Sequence, residues 1–471
     1  MRPYARVLVV ALLFISGAAV FAQESAKPQQ VKKPDERFKA DILVVVAHPD
    51  DEGGVTPYLA RAIYDLHKRV AVVYGTRGGN GANEVTREHA AALADIREME
   101  AREACAKLGI HHVWFLSGKD TASQNVLNSL ASWGHGENLE ELVRIVRLTR
   151  PEVIISWLPG VFIGENHGDH QAAGVLAVEA FDLAANPTAF PSQLAGASKR
   201  LEPYLENLTP WQPKKIYFFS DAANEKQFAH TGPAYSIKEI SPSQKKPYWR
   251  IALDAATPHY TQFPREIDAL SRMSDAQLEA MMDDPNSSWW TDPETLIFGK
   301  SMVGGKPTDD VFANTAIGDA PTNSLGNPVV SPSAKEGTAA KLGGPWAFYD
   351  AFRAQSGMMD LPHAAIPEIG IKAGSLLVVP IHVDVTQAAQ LIVNLTVFVP
   401  DGWKVMKGNG SFVLPGAEST SLAIEIQTPE QTAEELKHGA PQEVKVHAEA
   451  NGKVIGDVTL RVLLRSNALP Q

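Results

Sequence analysis

One cysteine, Cys105, occurs in 471 residues, so no disulfide can form within the chain in any compartment. Cys105 lies in a stretch of helical apolar spacing and reads as a small core residue rather than a nucleophile. No long block of lysine and arginine is present, and the formal charge is −11. Phosphate backbones need clustered cations, so nucleic acid is not an expected partner. A P-loop Gly-Lys-Ser/Thr is missing, no internal period repeats, and nothing after residue 22 is apolar for long enough to cross a bilayer.

What is present begins with a charged and then apolar N-terminus. Arg2 and Arg6 precede an almost wholly apolar run from Val7 to Ala22, and Val20-Phe21-Ala22 puts small residues at −3 and −1 of a cut before Gln23. This pattern predicts a secretory signal peptide over 1–22 and an exported protein, periplasmic or extracellular. The competing reading is an uncleaved membrane anchor. Residues 23–38, rich in Lys, Gln, Glu and Pro, are expected to be a disordered lead-in.

With 44% hydrophobic residues, the chain can fill two or three cores. From 39 to 260, apolar strand-like runs alternate with helical ones: Ile42–Ala47, Val70–Tyr74, Val113–Leu116 and Val153–Trp157 against Pro57–Lys68, Glu84–Leu108, Leu139–Leu148 and Gln171–Ala185. Alternation of this kind predicts an α/β domain, a mostly parallel sheet with helices on both faces. Residues 261–360 read as a loop-rich extension of that domain. From 361 to 471, six short strand-like runs and the turn signal Asn451-Gly452 predict an antiparallel β-sandwich.

Two clusters carry the chemistry. The first apolar run leads into His48-Pro49-Asp50-Asp51-Glu52, an imidazole and three carboxylates that repel one another unless a cation or proton sits among them. The fourth leads towards His167-Gly168-Asp169-His170. Either cluster alone fits a capping turn. Together, after strands of one sheet, they form two halves of a metal site. His48 and Asp51 can converge on one ion across the turn that Pro49 restricts, and His170 supplies a third ligand. Zinc accepts imidazole and carboxylate, and catalytic zinc keeps three protein ligands and an open position. Iron, cobalt and other divalent ions suit the same donors. Asp50, between the ligands, is placed to take a proton from water. Glu52 and Asp169 are candidates to accept the free N–H of a ligating imidazole. His167 can stabilise an oxyanion or protonate a departing amine. Arg77, in the Gly-rich run Thr76–Gly81, reads either as a clamp for a polar substrate or as a surface cation. Asp120 is placed to hydrogen-bond sugar hydroxyls. His111-His112 reads as structural. Trp289-Trp290 can stack on a sugar or simply pack its loop.

Ala47-His48-Pro49-Asp50-Asp51-Glu52, with Thr76-Arg77-Gly78-Gly79, the Arg97…Glu100…Leu108-Gly109 helix, Asp120 and His167-Gly168-Asp169-His170, resembles the PIG-L/LmbE-like zinc-dependent N-acetylglucosaminyl deacetylases. The resemblance spans roughly 40–260 and implies a Rossmann-like fold. It further implies zinc on His48, Asp51 and His170, Asp50 as general base, His167 at the oxyanion or leaving amine, and Arg77 and Asp120 in the substrate pocket. Gly168 stands where many relatives carry proline, which is expected to loosen the loop. The C-terminal part resembles the NEW3-type sandwich domains of some secreted carbohydrate-active enzymes. The expected partner is an N-acetylated amino sugar or glycoconjugate. A zinc amidase for another N-acyl small molecule and a non-catalytic carbohydrate-binding protein are the alternatives.

Overall fold

A computed structural model describes residues 34–160, 167–194, 207–220, 228–284, 289–316, 337–387, 389–417, 419–437 and 439–466. The expected signal peptide and residues 23–33 of the expected lead-in lie outside them. The rest of that lead-in is not disordered. Residues 36–38 form a short 3-10 turn capped by Asp35, and Glu36 pairs with Arg150 at 2.7 Å.

The first unit alternates strands and helices as the sequence predicts: β1 (Ile42–Val46), α1 (Thr56–Tyr64), β2 (Val70–Tyr74), α2 (Ala91–Lys107), β3 (His112–Phe115), α3 (Val126–Trp133), α4 (His135–Thr149), β4 (Val153–Trp157), α5 (Gly168–Leu183) and β5 (Lys215–Phe219). Every residue of β1, β2, β4 and β5 is buried. Continuous Val/Ile runs are what a parallel strand covered on both faces requires. The chain continues through β6 (Ala234–Tyr235), α6 (Tyr248–Ala256), α7 (Pro264–Leu270), α8 (Asp275–Asp283), β7 (Glu294–Thr295) and β8 (Ile297–Ser301). The sheet order is β3-β2-β1-β4-β5-β8, parallel except for β8, which runs antiparallel to β5.

In that order β1 is the switch point. It pairs with β2 on one side and β4 on the other, Ile42 standing level with both Val70 and Val153. The loops leaving the carboxyl ends of β1 and β4 diverge and leave a crevice between them, where open α/β sheets bind ligands. Both chemical clusters follow these two strands.

The second unit contains β9 (Ala339–Leu342), α9 (Gly344–Gln355), β10 (Glu368–Lys372), β11 (Leu376–Asp384), β12 (Leu391–Phe398), β13 (Lys404–Lys407), β14 (Gly410–Leu414), β15 (Thr420–Gln427), α10 (Ala433–Lys437), β16 (Gln442–Ala450) and β17 (Lys453–Arg465). Its two sheets have the orders β10-β17-β16-β12-β14 and β13-β15-β11-β9. Asn451 and Gly452 both take positive φ between β16 and β17, the two-residue hairpin turn that Asn-Gly favours.

The middle of the chain departs from expectation. Among the described residues of 261–360, α7, α8 and β8 extend the first unit, but β9 pairs with β11, Leu342 opposite Ile381. The sandwich therefore begins before 361. α9 joins the two units, with Tyr349 and Phe352 in the first core and Trp346 packed on the second. Among the described residues, no helix is long and apolar enough to cross a membrane.

Candidate active site

Asp51 is the best-anchored group of the β1 turn. Its Oδ2 accepts from the Ala47 and His48 amides at 2.8 and 2.9 Å and from the Trp157 indole at 2.8 Å. That fixes Oδ1, which lies 3.2 Å from His170 Nε2 and 3.6 Å from His48 Nδ1. His170 Nε2 and His48 Nδ1 are 3.2 Å apart. Three ligand atoms thus form a triangle with sides of 3.2, 3.2 and 3.6 Å. Tetrahedral zinc, with bonds of about 2.0–2.1 Å, holds its ligands roughly 3.3 Å apart. The residues present therefore fit a divalent ion with one position free. Trp157 stacks on the His170 ring at 4.1 Å and fixes its plane.

The electrostatics agree with a site built for a cation. Burial disfavours a charge on His48, yet Asp51, then Asp120 and Asp169, hold its pKa well above the usual histidine value. Burial would raise the Asp51 carboxyl, but His170 and His48 hold it well below its ordinary range.

Asp50 takes φ 130°, a conformation costly for a residue with a Cβ. Three contacts hold it. Arg97 donates to the Pro49 carbonyl at 2.8 Å and to Asp50 Oδ2 at 3.0 Å, and Glu52 Oε2 accepts the Asp50 amide at 3.2 Å. Burial pushes the Asp50 carboxyl up to about 6 against the pull of Arg97.

His167 caps α5 and accepts the Asp169 amide on Nδ1 at 3.4 Å. Burial, with His170 and His48 nearby, pushes its pKa down to about 2. A neutral ring that accepts on Nδ1 carries its proton on Nε2, so His167 is a donor. Its ring centroid lies 4.1 Å from that of His170 and 5.1 Å from that of His48.

The expected roles of the remaining residues divide. Asp169 Oδ2 and Asp120 Oδ1 lie 3.5 and 3.3 Å from His48 Nε2, so both face the imidazole nitrogen that the triangle leaves over. Asp169 is fixed by Thr121, whose hydroxyl and amide donate to it at 2.7 and 2.8 Å. Asp120 is held by the Asn80 amide at 2.8 Å and lines the cleft. Glu52 does not support a ligating imidazole. It pairs at 2.6 Å with His259, both buried. Arg77 does not reach the cleft. It bonds Glu98 at 2.7 Å and pairs with Asp95 on α2, so the surface-cation reading fits its position and the substrate-clamp reading does not.

The Gly-rich loop lines the cleft at Asn80 and Gly81 and also admits Arg97. A Cβ on Gly78 or Gly81 would collide with the Arg97 guanidinium, so these glycines make room for the arginine that holds Asp50. Gly168 is itself closely packed, while residues 161–166 of the loop before it lie outside the described residues. The Gly168 amide donates to the Ser123 carbonyl at 2.9 Å, and a Cβ there would meet Ser129 and Ser123. Proline has neither the donor nor the clearance. Cys105 is buried beside the Tyr74 hydroxyl, and His112 binds the Arg37 carbonyl at 2.7 Å; both are structural. Trp290 donates to the Gly53 carbonyl at 2.7 Å, and the Trp289-Trp290 pair packs its loop while lining the cleft.

Residues 43–181 match the family described as PIG-L: GlcNAc-PI de-N-acetylase. The matched segment runs from β1 into α5 and holds both chemical clusters. It is 28% identical over 257 residues to a protein of Thermobifida fusca (strain YX) named 1D-myo-inositol 2-acetamido-2-deoxy-alpha-D-glucopyranoside deacetylase, covering 47% of this chain and 82% of that one. A Streptomyces avermitilis protein of the same name is 31% identical over 201 residues, 39% of this chain and 61% of its own. The solved N,N'-diacetylchitobiose deacetylase from Pyrococcus horikoshii is similar at 20% identity with a TM-score of 0.38, covering 55% of this chain and 83% of that one.

Proposed function

We propose that the protein is a zinc-dependent hydrolase that removes the acetyl group from an N-acetylated amino sugar, and that it acts after export. The observation that carries the reading is the triangle of His48 Nδ1, Asp51 Oδ1 and His170 Nε2 at the floor of the cleft. The PIG-L match and the deacetylase names of the chain's relatives support it.

His48, Asp51 and His170 would hold the zinc, which when bound supplies a Lewis acid that makes water more acidic and an amide carbonyl more electrophilic. Asp50, fixed by Arg97 and Glu52, accepts a proton from the attacking water as its oxygen bonds to the acetyl carbon. His167, with its proton on Nε2, donates to the oxygen that takes up the electron pair. When the C–N bond breaks, the nitrogen takes up the proton held by Asp50, and acetate and a free amino sugar leave. The six carboxylates that line the cleft suit a cationic product.

The test joins metal analysis of the purified full chain to an acetate-release assay over a panel of N-acetylated sugars. Bound zinc with release from at least one sugar supports the reading. Bound metal with hydrolysis only of simple N-acyl amines would replace the sugar by another amide.

A further inference from the structure

The cleft exceeds what one sugar ring needs. Its volume is about 1230 Å³, whereas small-molecule pockets run to roughly 300–1,000 Å³. The excess lies between the two units. Trp346 on the first turn of α9, Gly370 on β10, Val378 and Pro380 on β11 and Arg465 at the end of β17 line the same cavity as His48, Asp51 and His170.

Three observations make this wall more than an accident of packing. First, β11 breaks the pattern of a strand with one wet face, which should be polar outward. Its outward positions carry Leu376 and Val378, 45% and 40% exposed, and Pro380, while Leu377, Val379 and Ile381 fill the core. The apolar strip continues into the cleft through Val378 and Pro380. Secondly, the wall is tied to the catalytic unit. Gln124 Nε2 donates to the Gly370 carbonyl at 2.6 Å, and the Tyr349 hydroxyl donates to Gln171 Oε1, beside His170, at 2.9 Å. Thirdly, Arg465 lines the cleft and makes no salt bridge among the described residues. Its guanidinium brings donors that suit hydroxyl and acetyl oxygens. Away from the ligand triangle and the Arg97–Asp50 and His259–Glu52 pairs, the cleft carries Asp120, Glu266 and Glu368 against Arg465, which favours a neutral or cationic occupant over a phosphorylated one.

We infer that the β-sandwich supplies distal subsites for further residues of an N-acetylated oligosaccharide, with Trp346 and Arg465 determining specificity. This rests on the deacetylase reading. The acetamido sugar sits at the His48–Asp51–His170 triangle. A neighbouring ring lays its C–H face on the Trp346 indole and the Val378–Pro380 strip, and Arg465 hydrogen-bonds its oxygens.

The test measures kcat/KM for acetate release from N-acetylglucosamine and from fully N-acetylated chito-oligosaccharides of two to five units, using the full chain. The expected result is a rise of at least about tenfold from monomer to tetramer. In Trp346→Ala and in Arg465→Ala, the tetramer-to-monomer ratio falls about tenfold, mainly through KM. A flat length dependence, or a ratio unchanged in both variants, overturns the proposal. Release from none of these sugars, and from none of the wider panel of N-acetylated sugars, defeats the deacetylase reading itself. Calorimetric titration with chitotetraose then decides the cleft separately: binding weakened in the variants supports the distal subsites, and equal or absent binding removes them. Thermal melting of Arg465→Ala, whose side chain lies outside the core, shows that the fold is kept.

Discussion

One arginine sets the conformation of the acid beside the ligand triangle: the Arg97 guanidinium grips the Pro49 carbonyl and the Asp50 carboxylate at once, at 2.8 and 3.0 Å. Asp50 therefore keeps a backbone conformation it would not adopt alone. Arg97→Lys retains the charge but loses the fork that spans both acceptors. That variant is expected to bind zinc normally and to lose about 10²-fold in kcat, the lower end of what a positioned acid or base contributes. Parallel metal analysis and steady-state kinetics check it. Unchanged kcat would mean that Asp50 needs no such support.

Asp50→Asn removes the proton acceptor and leaves the triangle intact. The expected outcome is full metal content with kcat lowered by roughly 10²–10⁴-fold. Full activity in this variant would sink the assignment of Asp50 as the base.

Asp51→Ala is expected to abolish metal binding, because it removes one ligand and the acceptor of three hydrogen bonds that shape the turn. In the unmodified chain, chelation should stop turnover and lower the melting temperature. Zinc should restore both, since an ion that binds only the folded state stabilises it by mass action. Melting curves with and without chelator are the measurement; an identical melting temperature in both would contradict metal binding to the folded state.

Glu294 offers a pH dependence away from the site. It is buried on β7, and neither carboxylate oxygen has a hydrogen-bond partner of normal geometry among the described residues. Burial pushes its pKa from 4.5 up to about 8, the Tyr58 backbone amide offsetting only part of this. The folded state therefore holds a proton that the unfolded state has released. The associated stability is complete below pH 4.5 and is lost as pH rises to about 8, by at most roughly 1.4 kcal/mol per pH unit. Glu294→Gln should flatten this slope and raise the melting temperature at pH 9 relative to the parent. Melting temperatures from pH 5 to 9 decide it, and parallel curves for the two proteins would show that Glu294 is already ionised in the fold.

Much of the fold and the ligand triangle was legible because strong local signals agreed with one another. Val/Ile-rich runs marked β1, β2 and β4, and charged clusters followed two of them. Asn451-Gly452 marked its hairpin unaided. What escaped notice depends on distant contacts. His259 sits alone in the sequence after Thr257-Pro258, and only the fold brings it to Glu52. Arg77 reads as a pocket candidate and Arg97 only as part of a helix, yet Asp95 and Glu98 draw the first away while two glycines admit the second. β9 is four residues long and becomes a strand by pairing with β11.

That last pairing bears on how the chain could be cut. Severing it at residue 361 would strip β11 of its edge partner and leave a row of amides and carbonyls ready to recruit another molecule. The same cut would strand α9, which is rooted in both cores. The two halves are thus spliced rather than strung together: a cut before β9 keeps the edge of the sandwich whole, yet still takes Tyr349 and Phe352 out of the first core.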